Sequence, residues 1–245
     1  MQHKKNIAMT LAEVLITLGI IGIVAALTIS TLFNNYQKQE YSSKLKKFYT
    51  TFNEALTNLS SDYGCQGDLR CTGLFSPTST HIDLGEAIVK YFQTSKVCST
   101  AANCLTKLAS DYYDGSGTRY SLDGGFYKFI TSDGTAIRLE NNRNNCSTQW
   151  WSNNKTGHMR QACATVVVDV NGFKPPNAFG RDLFQFYITN EKGPLLYPSG
   201  GIDDGRSANN WWKNTSGEIV KCHEADKRGA FCAGRVFEEG WQMNY

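Results

Sequence analysis

Eight cysteines, Cys65, Cys71, Cys98, Cys104, Cys146, Cys163, Cys222 and Cys232, are the residues of this chain best suited to covalent chemistry. They are even in number, fall into four local couples and include no C-x-x-C. His81, His158 and His223 do not stand at finger-like spacing from them, so zinc is the weaker reading. Oxidised pairs are the stronger reading and imply an oxidising compartment. Nearest-neighbour pairing is expected: Cys65 with Cys71, Cys98 with Cys104, Cys146 with Cys163, and Cys222 with Cys232. Sequence alone leaves that connectivity open. A thiol nucleophile made from Cys222 and the adjacent His223 is disfavoured in such a compartment, where Cys222 is oxidised and His223 is a surface residue.

A carboxylate in an apolar setting is the second notable group. From Val14 to Phe33 no residue is charged, and at about 1.5 Å per residue such a helix crosses a hydrocarbon core of about 30 Å. Glu13 stands at the lip of this run, where an unpaired carboxylate costs on the order of a few kcal/mol. It needs a partner. The run is too long for an ordinary secretory signal and continues into an amphipathic helix with no A-x-A-like site behind it. Lys4 and Lys5 precede it, so the positive-inside rule favours a cytoplasmic N-terminus and a head on the other side.

Two further stretches carry polar or aromatic groups at close spacing. Asp169, Asn171 and Asp182 put oxygen donors into a turn-rich connection between two strands, a place for Ca2+. The competing reading is an Asx turn in which Asp169 and Asn171 bond their own backbone, and the EF-hand pattern is not met. The loop holding Asp203 and Asp204 is a second candidate for an ion. Trp150-Trp151 and Trp211-Trp212 offer stacking faces for sugar, peptide or single-stranded nucleic acid, or else cover a small core. No G-x-S-x-G elbow, Walker loop, H-E-x-x-H or G-x-G-x-x-G occurs, and no acid and base pair is singled out, so an enzyme is not expected. The net charge of +3 falls to +1 without Lys4 and Lys5, which gives no support for a nucleic-acid partner.

The elements that must position these groups follow from periodicity. Tyr41, Leu45, Phe48, Phe52, Leu56, Leu59 and Tyr63 recur at steps of three and four, with Gly64 as a C-cap, so the apolar helix continues as an amphipathic one. Gly19 and Gly22 are its weak points and no proline interrupts it. Asp83 with Glu86 opens a short helix, DLGEAIVKYFQTSKVC. The period then changes to two: Tyr120 with Leu122, Tyr127 with Phe129, and, after the D-G turn Ser132-Asp133-Gly134-Thr135, Ile137 with Leu139. ATVVVDV is the strongest strand signal, LFQFYIT and PLLY suggest a further hairpin, and VFEEGWQMNY has a strand-like start with Trp241 folding back. The fold class is α+β, with a long N-terminal helix, membrane-spanning in its first half, packed on an antiparallel sheet head with disulfide-stapled loops.

The N-terminal segment, AMTLAEVLITLGIIGIVAALTISTLF behind the leader MQHKKNI, resembles the processing and methylation signal of type IV pilins and type II secretion pseudopilins. A small residue precedes the cut, a bulky apolar residue follows it, and a glutamate is fifth in the mature chain. Here those residues are Ala8, Met9 and Glu13, with Ala8 and Met9 where the family usually has Gly and Phe. The resemblance implies cleavage between Ala8 and Met9 by a prepilin peptidase, methylation of the new amine, and pairing of Glu13 with a neighbouring subunit's amine inside a helical filament core. It also implies a pilin-like fold: leader 1–8, transmembrane and assembly helix 9–33, amphipathic half 34–64, and a globular head 65–245. Pseudopilins of one class hold calcium in a loop of the head. The implied function is that of a structural subunit, a minor pilin or pseudopilin, of a type IV pilus or type II secretion system filament. Its partners would be other pilin or pseudopilin subunits, the prepilin peptidase and the inner-membrane assembly machinery. It would cross the bacterial inner membrane once, with the head extracytoplasmic and the filament in the periplasm or at the cell surface. The alternative is a membrane-anchored binding protein or adhesin that does not assemble.

Overall fold

A helix of 52 residues, α1 (Leu11–Asp62), dominates the chain. The computed structural model describes residues 10–101, 112–113, 119–120, 124–147, 158–175, 177–191, 195–200, 222 and 231–245. Within α1 there is no proline, and the helix passes through Gly19 and Gly22 without a break. It ends by a mechanism its last residues encode. Gly64 takes φ +66°, the Cys65 N–H donates to the Ser60 carbonyl at 2.7 Å and the Gly64 N–H to the Ser61 carbonyl at 2.9 Å. This paired arrangement is a Schellman motif, and it closes two carbonyls the helix would otherwise leave open. Tyr63, expected to extend the apolar stripe, is instead 47% exposed, because the helix stops at Asp62 and the chain turns away.

Two compact units divide the chain, residues 1–40 and residues 41–245. In the second, Leu45, Phe48, Phe52, Leu56 and Leu59 are buried against the core of the head. That core is one face of a six-stranded sheet. Its strands are β1 (Thr94–Ser99), β4 (Tyr127–Thr131), β5 (Ala136–Asn141), β6 (Ala162–Asp169), β7 (Leu183–Thr189) and β8 (Leu196–Pro198), neighbours in that order and antiparallel throughout. A separate two-stranded sheet pairs β2 (Tyr112–Tyr113) with β3 (Arg119–Tyr120). Register explains the core: Phe129 opposes Ile137, Ile137 opposes Val168, and Val168 opposes Phe184, so the alternating apolar residues stack on one face. The opposite face is buried too, and holds Lys128 and Arg138 at 0% exposure.

The second helix, α2 (His81–Val89), differs from its expected form at both ends. Its cap is Thr80, whose hydroxyl takes the Asp83 N–H while the Asp83 carboxylate takes the Thr80 N–H at 2.7 Å. Asp83 is therefore the third helical residue of a capping box and not the start. At the other end the helix gives way to β1, because Thr94 and Val97, both β-branched, find partners in Thr131 and Phe129 of β4. Gly85 lets α2 sit directly on the sheet, since a Cβ there would collide with the Tyr127 ring. Near the C-terminus Val236, Phe237 and Glu238, expected to begin a strand, end a helix, α3 (Cys232–Glu238), and Trp241 does fold back, onto Tyr49 of α1 at 4.9 Å between ring centres. The disulfide Cys222–Cys232 ties down the first residue of α3, and Ala233 and Val236, three apart on the helix, are buried in the core.

Candidate functional site

The first turn of α1 gives Glu13 a partner from its own chain. The Thr10 N–H and the Thr10 hydroxyl both donate to Glu13 Oε2, at 2.8 and 2.9 Å, and the Glu13 N–H points back to the Thr10 hydroxyl at 3.3 Å. This is a capping box, T-x-x-E, that satisfies backbone donors the helix start leaves open. The other oxygen, Oε1, takes no bond among the described residues. The T-x-x-E spacing of this cap is present in the sequence, directly before the apolar run. Ala8 and Met9 lie outside the described residues.

Behind Glu13 the helix presents apolar side chains all round. Leu15, Leu18, Ile21, Val24, Leu27 and Leu32 are each more than half exposed. Its hydroxyls turn inward: Thr17 donates to the Glu13 and Val14 carbonyls at 3.0 and 2.9 Å, and Thr28 to the Val24 carbonyl at 2.9 Å. Such bonds make a hydroxyl tolerable in hydrocarbon. This helix is long and apolar enough to cross a membrane, and none of its most apolar window is buried among the described residues.

The structure brings Asp169, Asn171 and Asp182 into one loop, between β6 and β7. Their polar atoms hold that loop together. The Asn171 N–H donates to Asp169 Oδ1 at 3.2 Å, which is the Asx turn, and the Asn171 amide donates to the Tyr41 hydroxyl at 3.0 Å. Asp182 takes the Asn177 and Ala178 N–H groups at 2.8 and 2.7 Å, one on each oxygen. Burial, the largest influence, pushes the Asp182 carboxyl up despite those donors. Among the described residues no group of three or more His, Cys, Asp or Glu is placed to hold a metal ion.

Disulfides join Cys65 to Cys71, Cys146 to Cys163, and Cys222 to Cys232. Each is a nearest-neighbour pair in the sequence. Cys98 is also disulfide-bonded, but Cys104 lies outside the described residues. The first disulfide loop is tied to the sheet by Asn190 after β7, whose amide oxygen takes the Leu69 N–H and whose amide nitrogen donates to Asp68 at 2.9 Å and Gln161 at 3.2 Å. Sequence reading did not single out Asn190, since nothing local marks a buried asparagine.

A cleft of about 300 Å³ opens in the head between α1 and the β4–β5 turn, lined by Lys47, Phe48, Phe92, Gln93, Asp133 and Thr135 among others. Lys47 Nζ meets Asp133 at 2.8 Å. Burial alone would raise the Asp133 carboxyl, but Lys47, Thr131 and Thr135 together hold it well below the usual carboxylate range. It therefore stays ionised and is no proton carrier near neutrality. No cysteine or histidine lines the cleft. Comparison with family models, with curated proteins and with solved structures finds no match to this chain. The regions carrying Trp150, Trp151, Asp203, Asp204, Trp211, Trp212 and His223 lie outside the described residues.

Proposed function

We propose that this chain is a non-catalytic structural subunit of the prepilin type, a minor pilin or pseudopilin of a type IV pilus or type II secretion-like filament. The observation that carries the reading is a single helix with two characters. From Leu11 to Phe33 it is apolar on every side and opens on one acid, and from Tyr41 onward it buries one stripe in its own α+β head. A helix apolar all round belongs in lipid or among other apolar helices. Passing from the first environment to the second would be assembly. Glu13 Oε1, which takes no bond among the described residues, is the atom suited to a neighbour's amine. On this reading a prepilin peptidase cuts between Ala8 and Met9, and the head faces out of the cytoplasm, where its disulfides persist.

The Thr10 capping box favours a second reading, because a carboxylate with a partner in its own helix does not require a neighbour. The chain would then be an anchored binding protein or adhesin. Glu13→Gln separates the two. Its amide oxygen keeps the cap but removes the charge, so the subunit reading expects a processed protein missing from the sheared filament fraction. Filaments that incorporate Glu13→Gln as well as the wild-type chain would favour the anchor.

A further inference from the structure

We propose that His81 is a proton-operated latch that holds residues 74–81 against the end of β5. His81 is the first residue of α2, and its Nδ1 accepts the backbone N–H of Asn141 at 2.9 Å. That bond fixes the ring as the neutral tautomer with its proton on Nε2. Around it, the Asn141 side-chain amide donates to the Leu74 carbonyl at 2.8 Å and the Thr80 carbonyl at 3.3 Å, and the Asn145 N–H donates to the Phe75 carbonyl at 2.7 Å. Of these attachments only the one through His81 titrates near neutral pH.

The surroundings set the direction. The ring stands edge-on to Phe126 at 5.2 Å between centres, and the Arg138 guanidinium lies 3.7 Å from the centre of that same Phe126 ring. Arg143, after β5, and Arg138, on β5, oppose a positive charge at His81, whereas Glu140 on β5 favours one. Asp83 on α2 is engaged with Thr80. Burial first, then Arg143, lowers the His81 pKa from its ordinary value. A proton on Nδ1 would set two donors face to face, remove the bond to Asn141 and add a third cation beside Arg143 and Arg138. Because the folded pKa lies below the unfolded one, this contribution is complete above about 6.5 and is lost as pH falls from there through the folded value. Acid thus loosens the 74–81 segment while β6 and β7 stay in place.

Amide exchange of the full chain in detergent micelles tests this, read by peptide mass at about pH 7.5 and about pH 5 and corrected for intrinsic rates. The latch predicts that peptides covering 74–81 and 136–147 exchange about fivefold faster at the lower pH, the equivalent of one lost hydrogen bond, with the β6 peptide unchanged. His81→Gln, whose amide oxygen accepts without titrating, is expected to abolish that difference. Equal pH dependence in wild type and His81→Gln would overturn the proposal. So would an NMR titration of the wild-type ring that gave an ordinary or raised pKa, a result independent of how the variant folds.

Discussion

The two stretches of α1 share a backbone geometry and differ in everything their side chains ask for. From Leu11 to Phe33 apolar residues face every direction and, among the described residues, none is buried, whereas from Tyr41 to Leu59 one stripe is buried and the opposite face is polar. The second stretch is stabilised by its own domain. The first has no buried apolar residue among the described ones. Helix propensity alone does not explain either, because isolated helices are marginal in water and helices in proteins gain most of their stability from what they pack against. The lesson is that one helix can encode two environments by changing only the width of its apolar face.

Substitutions in the two stretches should therefore part company. Phe52→Ala removes a fully buried ring that touches Phe48 and Phe92 at 5.4 and 5.6 Å between centres, and a loss of about 3–5 kcal/mol in head stability is expected from the cavity. Ile21→Ala should leave the same denaturation midpoint unchanged, followed by tryptophan fluorescence in detergent. A large shift for Ile21→Ala would contradict the separation of the two stretches into different environments. Next in size is the Cys146–Cys163 bridge between the end of the β5 connection and β6. Replacing both cysteines by Ala is expected to cost about 2–4 kcal/mol, through the freed unfolded chain, with the helix content of the first stretch unaffected by circular dichroism.

Smaller effects sharpen the contrast at the helix ends. Thr80→Ala breaks a capping box inside the head and should cost about 1 kcal/mol in urea unfolding. Thr10→Ala breaks the corresponding box at Glu13 and should leave urea unfolding of the head where it is. Smallest of all is Lys47→Ala. Its ion pair with Asp133 is half exposed, so the expected loss is below about 1 kcal/mol and shrinks with added salt. Asp133 is held below its ordinary range, so this contribution is present above the normal carboxylate pKa and fades as pH falls through the lowered one.

Sequence periodicity was a good guide where burial is one-sided. The stripe from Tyr41 to Leu59, the hairpin around Asp133-Gly134 and the run Ala164 to Val170 all show in the structure as a buried helix face, a β4–β5 turn and β6. It was a poor guide where tertiary pairing decides. Thr94–Cys98 reads as the tail of a helix until β4 is there to receive it, and Val236–Glu238, which read as the start of a strand, are the end of α3. Nor does the alternation Tyr127, Lys128, Phe129 say that Lys128 is as buried as its neighbours. At the candidate sites the polar residues were visible and their roles were not. Thr10 at three residues before Glu13 is a cap by spacing, and Asp182 ties a loop through two backbone donors that no side-chain pattern announces.

The central claim, that the first stretch of α1 is an assembly helix freed by cleavage, meets its most direct test at the N-terminus. Intact mass and N-terminal analysis of the protein taken from its own membranes should give a chain beginning at Met9 with a methylated amine. A chain that still begins at Met1 or Gln2 would contradict the account and leave α1 as a plain anchor.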